Sequence, residues 1–169
     1  NSGSGNQGMT VSLPVIEFAK SLFCTEEQLY RALVVSNLVA IHQKKYIGSL
    51  SAYCGAVSAA CGSGAAITYL YGGNYEDISA TIVNTIGNVG GIVCDGAKSS
   101  CAAKIASAVD AAILGHFLGR KHHWFQPGEG IVQKDVEGTI KSMGYIGRVG
   151  MKDTDKQILN IMIDQVKVD

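Results

Sequence analysis

Three cysteines of the chain stand beside glycines, and their spacing suggests a metal site. Cys54 lies in Ser51-Ala-Tyr-Cys-Gly55, and Cys94 and Cys101 are seven residues apart. That step differs from the CxxC spacing of zinc ribbons, and it suits one ligand in a loop and a second at the start of a helix. A helix N-terminus lowers the pKa of a thiol and favours the thiolate, which is the form that binds metal. The neighbouring glycines would let backbone N–H groups point at anionic sulfur.

The other two cysteines, Cys24 and Cys61, are expected to pack in the core, because free cysteine is among the residue types most often buried. Cys61 follows Cys54 by about two helical turns, and we exclude it from the candidate site all the same. For the remaining three, the residue pattern alone leaves two interpretations open, a metal site or inert buried thiols.

The composition of the chain argues against some classes of binding partner. The 169 residues carry 14 basic and 14 acidic side chains, so the chain lacks the positive charge expected for binding nucleic acid or an anionic membrane. The most apolar stretch, residues 101–118, contains Lys104 and Asp110, which argues against a membrane span. Since no signal-peptide pattern opens the sequence, we expect a cytoplasmic protein with unpaired cysteines.

The elements that must position these residues are predicted to be helices. Apolar residues recur at helical spacing and no sustained alternation is present, so we predict an all-α fold, a compact multi-helix domain with little or no strand. Glycine-rich loops would carry the cysteines. We interpret residues 1–169 as a single helical domain. Because the sequence does not begin with Met, we also interpret it as the C-terminal part of a longer polypeptide. The helices are predicted at residues 13–23, 26–45, 51–70, 75–86, 102–118, 135–143 and 156–163.

Local signals support several of these boundaries. Thr25 and Gln28 match a capping box before the second helix. Pro14 is tolerated in the first turn of a helix that begins at residue 13. Residues 1–8 are expected to be flexible and rich in backbone donors, and the polar and aromatic residues 120–130 are expected to form a loop.

The most distinctive pattern consists of three stretches: Gly48-Ser-Leu-Ser-Ala-Tyr-Cys-Gly55, Gly72-Gly73 and Gly90-Gly-Ile-Val-Cys-Asp-Gly-Ala-Lys-Ser-Ser-Cys-Ala-Ala-Lys104. They resemble the iron–sulfur-dependent L-serine dehydratase alpha-chain superfamily. Within it, the sequence is most similar to the cysteine desulfidase and its uncharacterised bacterial relatives, as are Gly5-Asn-Gln-Gly8 and residues 144–155. The resemblance spans nearly the whole chain, and its most specific part is Cys-Asp-Gly-Ala-Lys.

This resemblance implies a [4Fe–4S] cluster held by Cys54, Cys94 and Cys101. It implies a lyase that removes the β-substituent of L-serine or L-cysteine and yields pyruvate and ammonia, without pyridoxal phosphate. Three thiolates leave one of the four irons open to act as a Lewis acid on the leaving group. The implied partners are a small amino-acid substrate and an N-terminal region of the same protein that carries further catalytic and binding residues. A homodimer is a further candidate arrangement.

Other residues are candidates for roles around that cluster. Lys98, between two proposed ligands, is the catalytic candidate, since it could pair with a carboxylate or offset the negative charge of the cluster. The alternative is a solvated lysine at a helix start. Ser4, Gly5 and Asn6 are candidates for binding the substrate carboxylate, against the alternative of a mobile chain end.

Two further functions stay open at this stage. The same fold could be a non-catalytic metal-binding or structural domain, with its thiols holding zinc or nothing. A thiol redox protein would use Cys94 and Cys101, and it needs their sulfurs close enough to form a disulfide. His42 is interpreted as a polar residue on a helix face, and His122 and His123 as surface residues.

Overall fold

A computed structural model of the chain describes residues 4–166, and this part of the chain is all-α. Residues 4–166 contain no β-strand and one isolated antiparallel bridge, between Tyr53 and Val93. The prediction of an all-α fold with little or no strand is confirmed. The elements are α1 (Gly5–Ser21), α2 (Glu26–Ile47), α3 (Gly55–Leu70), α4 (Tyr75–Val89), α5 (Ser100–Arg120), α6 (Val136–Tyr145), a π-helical turn (Ile146–Gly150) and α7 (Lys152–Met162).

Helix α3 lies at the centre of the fold. It is buried from Gly55 to Thr68 and contacts α1, α2, α4 and α5. Its small residues allow this, because the backbones of its neighbours come too close for larger side chains. A Cβ at Gly62 would lie 2.4 Å from the carbonyl oxygen of Ser36 on α2, and one at Gly64 would lie 2.9 Å from the Cβ of Ala112 on α5. A helix with small residues on every face is characteristic of a helix that is buried among close neighbours.

Capping side chains fix the start of two helices. The Thr25 hydroxyl accepts from the Gln28 N–H and the Gln28 side chain accepts from the Thr25 N–H, so the predicted capping box of α2 is confirmed. Asn74 and Asp77 form a second capping box at α4, which the sequence analysis did not identify. Both boxes satisfy N–H groups that have no acceptor within the helix.

The predicted start of α1 was wrong. The helix begins at Gly5, so residues 5–8 are helical and Pro14 lies inside the helix instead of in its first turn. Glycine and an internal proline disfavour a helix, but Val11, Val15 and Ala19 are buried against the rest of the fold and outweigh this cost. Residues 1–3 lie outside the described part of the chain.

Two other helix starts differ from the prediction by four residues. Helix α3 begins at Gly55, four residues later than expected, because the preceding segment is engaged in the bridge to Val93. Helix α7 begins at Lys152, four residues earlier than expected, and the π-helical turn before it was not predicted. The loop between α5 and α6 includes residues 121–130, close to its predicted position.

Helix α5 is long and apolar enough, by length and composition, to cross a membrane. One side of it packs on α3 and α4, where Ala108, Ala112 and His116 are buried. The core helix of a helical domain satisfies the same criteria of length and hydropathy. The His116 ring Nδ1 lies 2.9 Å from the Thr68 hydroxyl of α3, a buried polar contact that joins α5 to the centre of the fold.

Candidate metal centre

Cys54, Cys94 and Cys101 line one pocket. Its volume is about 320 Å³, and its wall also includes residues from the start of α1 and from the end of α2. None of the three is in a disulfide. The other two cysteines lie elsewhere: Cys61 is fully buried in α3, where burial raises its pKa to about 12, and Cys24 precedes α2. An inert core thiol is the expected state of such a buried cysteine.

A backbone bridge positions Cys54 and Cys94. The Cys54 N–H donates to the Ile92 carbonyl at 3.0 Å, and the Cys94 N–H donates to the Ala52 carbonyl at 2.6 Å. These two bonds flank the Tyr53–Val93 pair. In an ideal antiparallel pair, residues at these two positions extend from the same face and are diagonal neighbours about 7–8 Å apart at Cα.

Two helix N-termini contribute to the same pocket. Cys54 is the N-cap of α3, and Cys101 is the second residue of α5. The positive end of the helix dipole and the N–H groups of the first turn favour negative charge at both positions. The sequence analysis predicted a cysteine at the start of a helix, and Cys101 occupies such a position. The structure shows that Cys54 also lies at the start of a helix.

The pKa of the Cys54 thiol is affected by the other groups around the pocket. Burial raises the pKa of the Cys54 thiol, and an N–H bond from Ala56 lowers it. Negative charge on Cys94 and Cys101 raises the pKa further, whereas Lys104 lowers it. The Cys54 sulfur therefore lies within electrostatic range of both other sulfurs, and a metal or a nearby cation would favour its thiolate.

Two lysines supply positive charge beside the sulfurs. Lys104 on α5 donates to the Asp95 carboxylate, and this bond raises the pKa of Lys104 and lowers that of Asp95. Lys44 on α2 lines the pocket; burial lowers its pKa, and the charges of Cys94 and Cys54 oppose that shift. The sequence analysis missed both roles. The Cys101-Ala-Ala-Lys104 spacing was an available signal, because residues three apart share a helix face.

The start of α1 forms another wall of the pocket. Ser4 and Asn6 line it together with Gln7, and Gly5 is the first residue of the helix between them. The Asn6 side-chain N–H donates to the Cys101 sulfur at 3.3 Å. The structure thus brings the residues proposed for substrate binding next to the proposed ligands.

Lys98 is placed differently. Its side chain is exposed, and it is not among the residues that line the pocket, although Ala97 beside it is. His42 lies outside the pocket, where it joins α2 to α6 through the Glu137 carboxylate at 2.7 Å. His122 and His123 are exposed, as expected of surface residues.

The three thiols do not form a site for a single metal ion. No three His, Cys, Asp or Glu side chains within residues 4–166 are close enough together to hold one metal ion. In an iron–sulfur cluster each thiolate binds a different iron, so the ligands surround the cluster and stay apart from one another. Sulfur atoms at two helix N-termini, an amide donor to one of them and two lysines beside them would favour a group of negative charge.

The fold and the site together define a class of protein: an all-α domain with three cysteine thiols at one pocket. The serine dehydratase alpha chain family matches residues 1–160, and the chain belongs to this family. The resemblance seen in the sequence is therefore confirmed.

Similar proteins include UPF0597 proteins of three bacteria. The chain is 62% identical to one from Desulfitobacterium hafniense over 98% of its own length and 38% of the relative. It is 62% identical to one from Lachnoclostridium phytofermentans, covering 97% of the chain and 39% of the relative, and 55% identical to one from Treponema denticola, covering 96% and 38%. The chain thus spans about two fifths of the length of these relatives. No solved structure matches it significantly.

Proposed function

We propose that the chain is the cluster-binding part of a [4Fe–4S]-dependent lyase that removes the β-substituent of L-serine or L-cysteine. The observation that supports this most directly is the shared pocket of Cys54, Cys94 and Cys101. Membership of the serine dehydratase alpha chain family supports the reaction class. The proposal includes a cytoplasmic location and does not require pyridoxal phosphate.

In this proposal the three thiolates hold the cluster. When bound, the cluster supplies an iron without a protein ligand, which is a Lewis acid for the β-hydroxyl or β-thiol of the substrate. The chain's own groups prepare the pocket for it. Asn6 donates to the Cys101 sulfur and orients that ligand, and Lys44 and Lys104 offset the negative charge of the thiolates.

The substrate carboxylate is assigned to the start of α1. The first N–H groups of an α-helix have no acceptor within the helix, and together with the dipole they form a site for an anion. Ser4, Gly5 and Asn6 occupy this position at the wall of the cysteine pocket. The Ser4 side chain makes no capping bond to its own helix, so its hydroxyl can serve the ligand. Lys98, which does not line the pocket, stays a catalytic candidate.

Anaerobic reconstitution of the 169-residue chain with iron and sulfide tests the cluster. We expect about four irons per chain and broad absorption near ~400 nm. Replacing Cys54, Cys94 or Cys101 with Ser should reduce both, whereas Cys24→Ser is the matched control and should reduce neither. Equal iron in all four variants, or full occupancy by zinc with no uptake of iron, would refute the assignment.

The reaction itself is tested on a full-length relative, such as the Desulfitobacterium hafniense protein. Pyruvate formation from L-serine and from L-cysteine, with sulfide release from the latter, should depend on the three corresponding cysteines. A reconstituted full-length protein that holds iron but forms no pyruvate from either amino acid would leave the metal site and exclude the lyase.

A further inference from the structure

The outer face of α2 is apolar along its middle and charged at its ends. Val34, Leu38 and Ile41 are exposed by 57%, 60% and 45% although all three are large aliphatic residues. Glu27 lies on the same face near the start of the helix, and Lys45 lies on it near the end. Exposed aliphatic residues in a continuous row are characteristic of surfaces that another element covers.

The spacing of this face is that of a coiled-coil seam. Successive members are four, three, four, three and four residues apart, which is the alternation of the two core positions of a heptad repeat. The seam runs for most of the 22 residues of α2. Its members are Glu27, Arg31, Val34, Leu38, Ile41 and Lys45.

The seam is symmetric about its centre. Val34 and Leu38 lie two positions on either side of residue 36, and Glu27 and Lys45 lie nine positions on either side of it. A second α2 placed antiparallel across a two-fold axis at this point would therefore set Val34 against Leu38 and Glu27 against Lys45 of the other copy. Arg31 would lie along Ile41, where its aliphatic stem can pack.

Charge decides between the two directions of pairing. An antiparallel pair places Glu27 of each copy beside Lys45 of the other, whereas a parallel pair places each of these two residues beside its own counterpart. Within residues 4–166, Glu27 pairs only with Arg31 on its own helix, and Lys45 has no carboxylate within ion-pair distance. The seam is thus complementary to itself, which is the requirement for an interface that repeats under a two-fold axis.

We propose that this seam is a dimer interface, and that its occupant is α2 of a second copy of this chain. The apolar groove between α2, α4 and α6 borders the seam and extends the contact through Tyr75, which is 75% exposed. The interface is separate from the cysteine pocket and does not depend on the proposed reaction.

Sedimentation of the 169-residue chain over a range of concentrations tests the interface. We expect a reversible dimer, and Glu27→Lys or Lys45→Glu alone should weaken it about tenfold by setting like charges together. The double variant restores opposite charges and should recover most of the affinity. Lys121→Glu, an exposed charge reversal away from the seam, is the control, and circular dichroism verifies the fold of each variant.

Leu38→Glu places a charge in the middle of the seam and should give a monomer at concentrations where the parent chain is a dimer. A parent chain that stays monomeric throughout would overturn the proposal and assign the face to another partner. A dimer that survives Leu38→Glu and both charge reversals would overturn it too, because the contact would then lie elsewhere.

Discussion

Asn6 is the residue that most directly links the start of α1 to the proposed ligands. Its side-chain N–H donates to the Cys101 sulfur at 3.3 Å. Asn6→Asp replaces this donor with an acceptor of like charge to a thiolate, so the affinity of the reconstituted chain for its cluster should fall about tenfold or more. Asn6→Ala should have a smaller effect, since it removes the bond without adding repulsion. Iron content under limiting iron measures both, and equal losses would contradict this role.

Lys104 should matter more for the pocket than Lys98. Lys104 lowers the pKa of Cys54 and holds Asp95, which directly follows Cys94. Lys104→Met should therefore weaken iron binding about tenfold. Lys98→Met, the matched control, should leave iron content unchanged, because the Lys98 side chain is exposed outside the pocket. The reverse order of effects would return the charge-balancing role to Lys98.

The side-chain hydroxyl of Tyr53 is a buried polar group that affects stability. This hydroxyl has no hydrogen-bond partner within the described residues, and burial raises the pKa of the phenol well above its ordinary value. A buried polar group without a partner costs stability, so Tyr53→Phe should raise the free energy of unfolding by about 1 kcal/mol. Urea unfolding of the metal-free chain provides the measurement. A loss of stability would mean that the hydroxyl has a partner in solution.

At the level of the helices, the closeness of α3 to α2 can be tested with one methyl group. Gly62→Ala would bring a Cβ to 2.4 Å from the Ser36 carbonyl, and a backbone atom cannot move aside as a side-chain end can. The free energy of unfolding should fall by about 1–3 kcal/mol. Gly8→Ala in α1 meets no atom within 4 Å and should instead gain about 0.5–1 kcal/mol from its better helix propensity. Similar effects at both glycines would contradict the packing of α3.

The sequence predicted those helices whose signals are local. The capping box at Thr25 depends on neighbours in the chain, and its prediction is confirmed. The start of α1 was missed because glycines at 5 and 8 argue against a helix, and the burial of Val11 that outweighs them is a tertiary effect. Patterns of capping and periodicity contain no information on such contacts.

The candidate site was predictable only in part for the same reason. The three cysteines could be selected by their glycine neighbours and by the family resemblance. The contact between Asn6 and Cys101 joins residues 95 apart in the chain, and the bridge between Tyr53 and Val93 is a single pair that leaves no period in the sequence. The role of Lys44 depends on such long-range contacts and became visible only with the fold, whereas the spacing of Lys104 from Cys101 was a signal in the sequence.

At the scale of the whole molecule, the hydrogen bonds that join α2 to α6 should make folding stability depend on pH. Glu137 accepts hydrogen bonds from His42 and Tyr46 at 2.7 Å each, and these bonds lower its pKa from 4.5 to about 2. The folded state thus prefers the ionised carboxylate, so this contribution is complete above about pH 4.5 and is lost as the pH falls toward 2.

Glu137→Gln should flatten that part of the pH dependence of stability. Because the Glu137 side chain is 39% exposed, solvent screening limits the difference to about 1 kcal/mol at neutral pH. Thermal unfolding of the parent and the variant between pH 2 and 7 compares them, and Glu129→Gln in the loop before α6 is the control. Parallel curves for parent and Glu137→Gln would show that the junction does not contribute.

The backbone bridge between Tyr53 and Val93 has a consequence for how the protein would acquire the proposed cluster. Zinc fingers gain their fold from the metal, because their ligands are not assembled beforehand. Here the bonds between residues 52–54 and 92–94 and the packing of the buried helix α3 are made by the chain itself, so protein contacts hold together the segments that carry Cys54 and Cys94. A cluster would then enter a pocket with preassembled walls, as a ligand enters a rigid receptor.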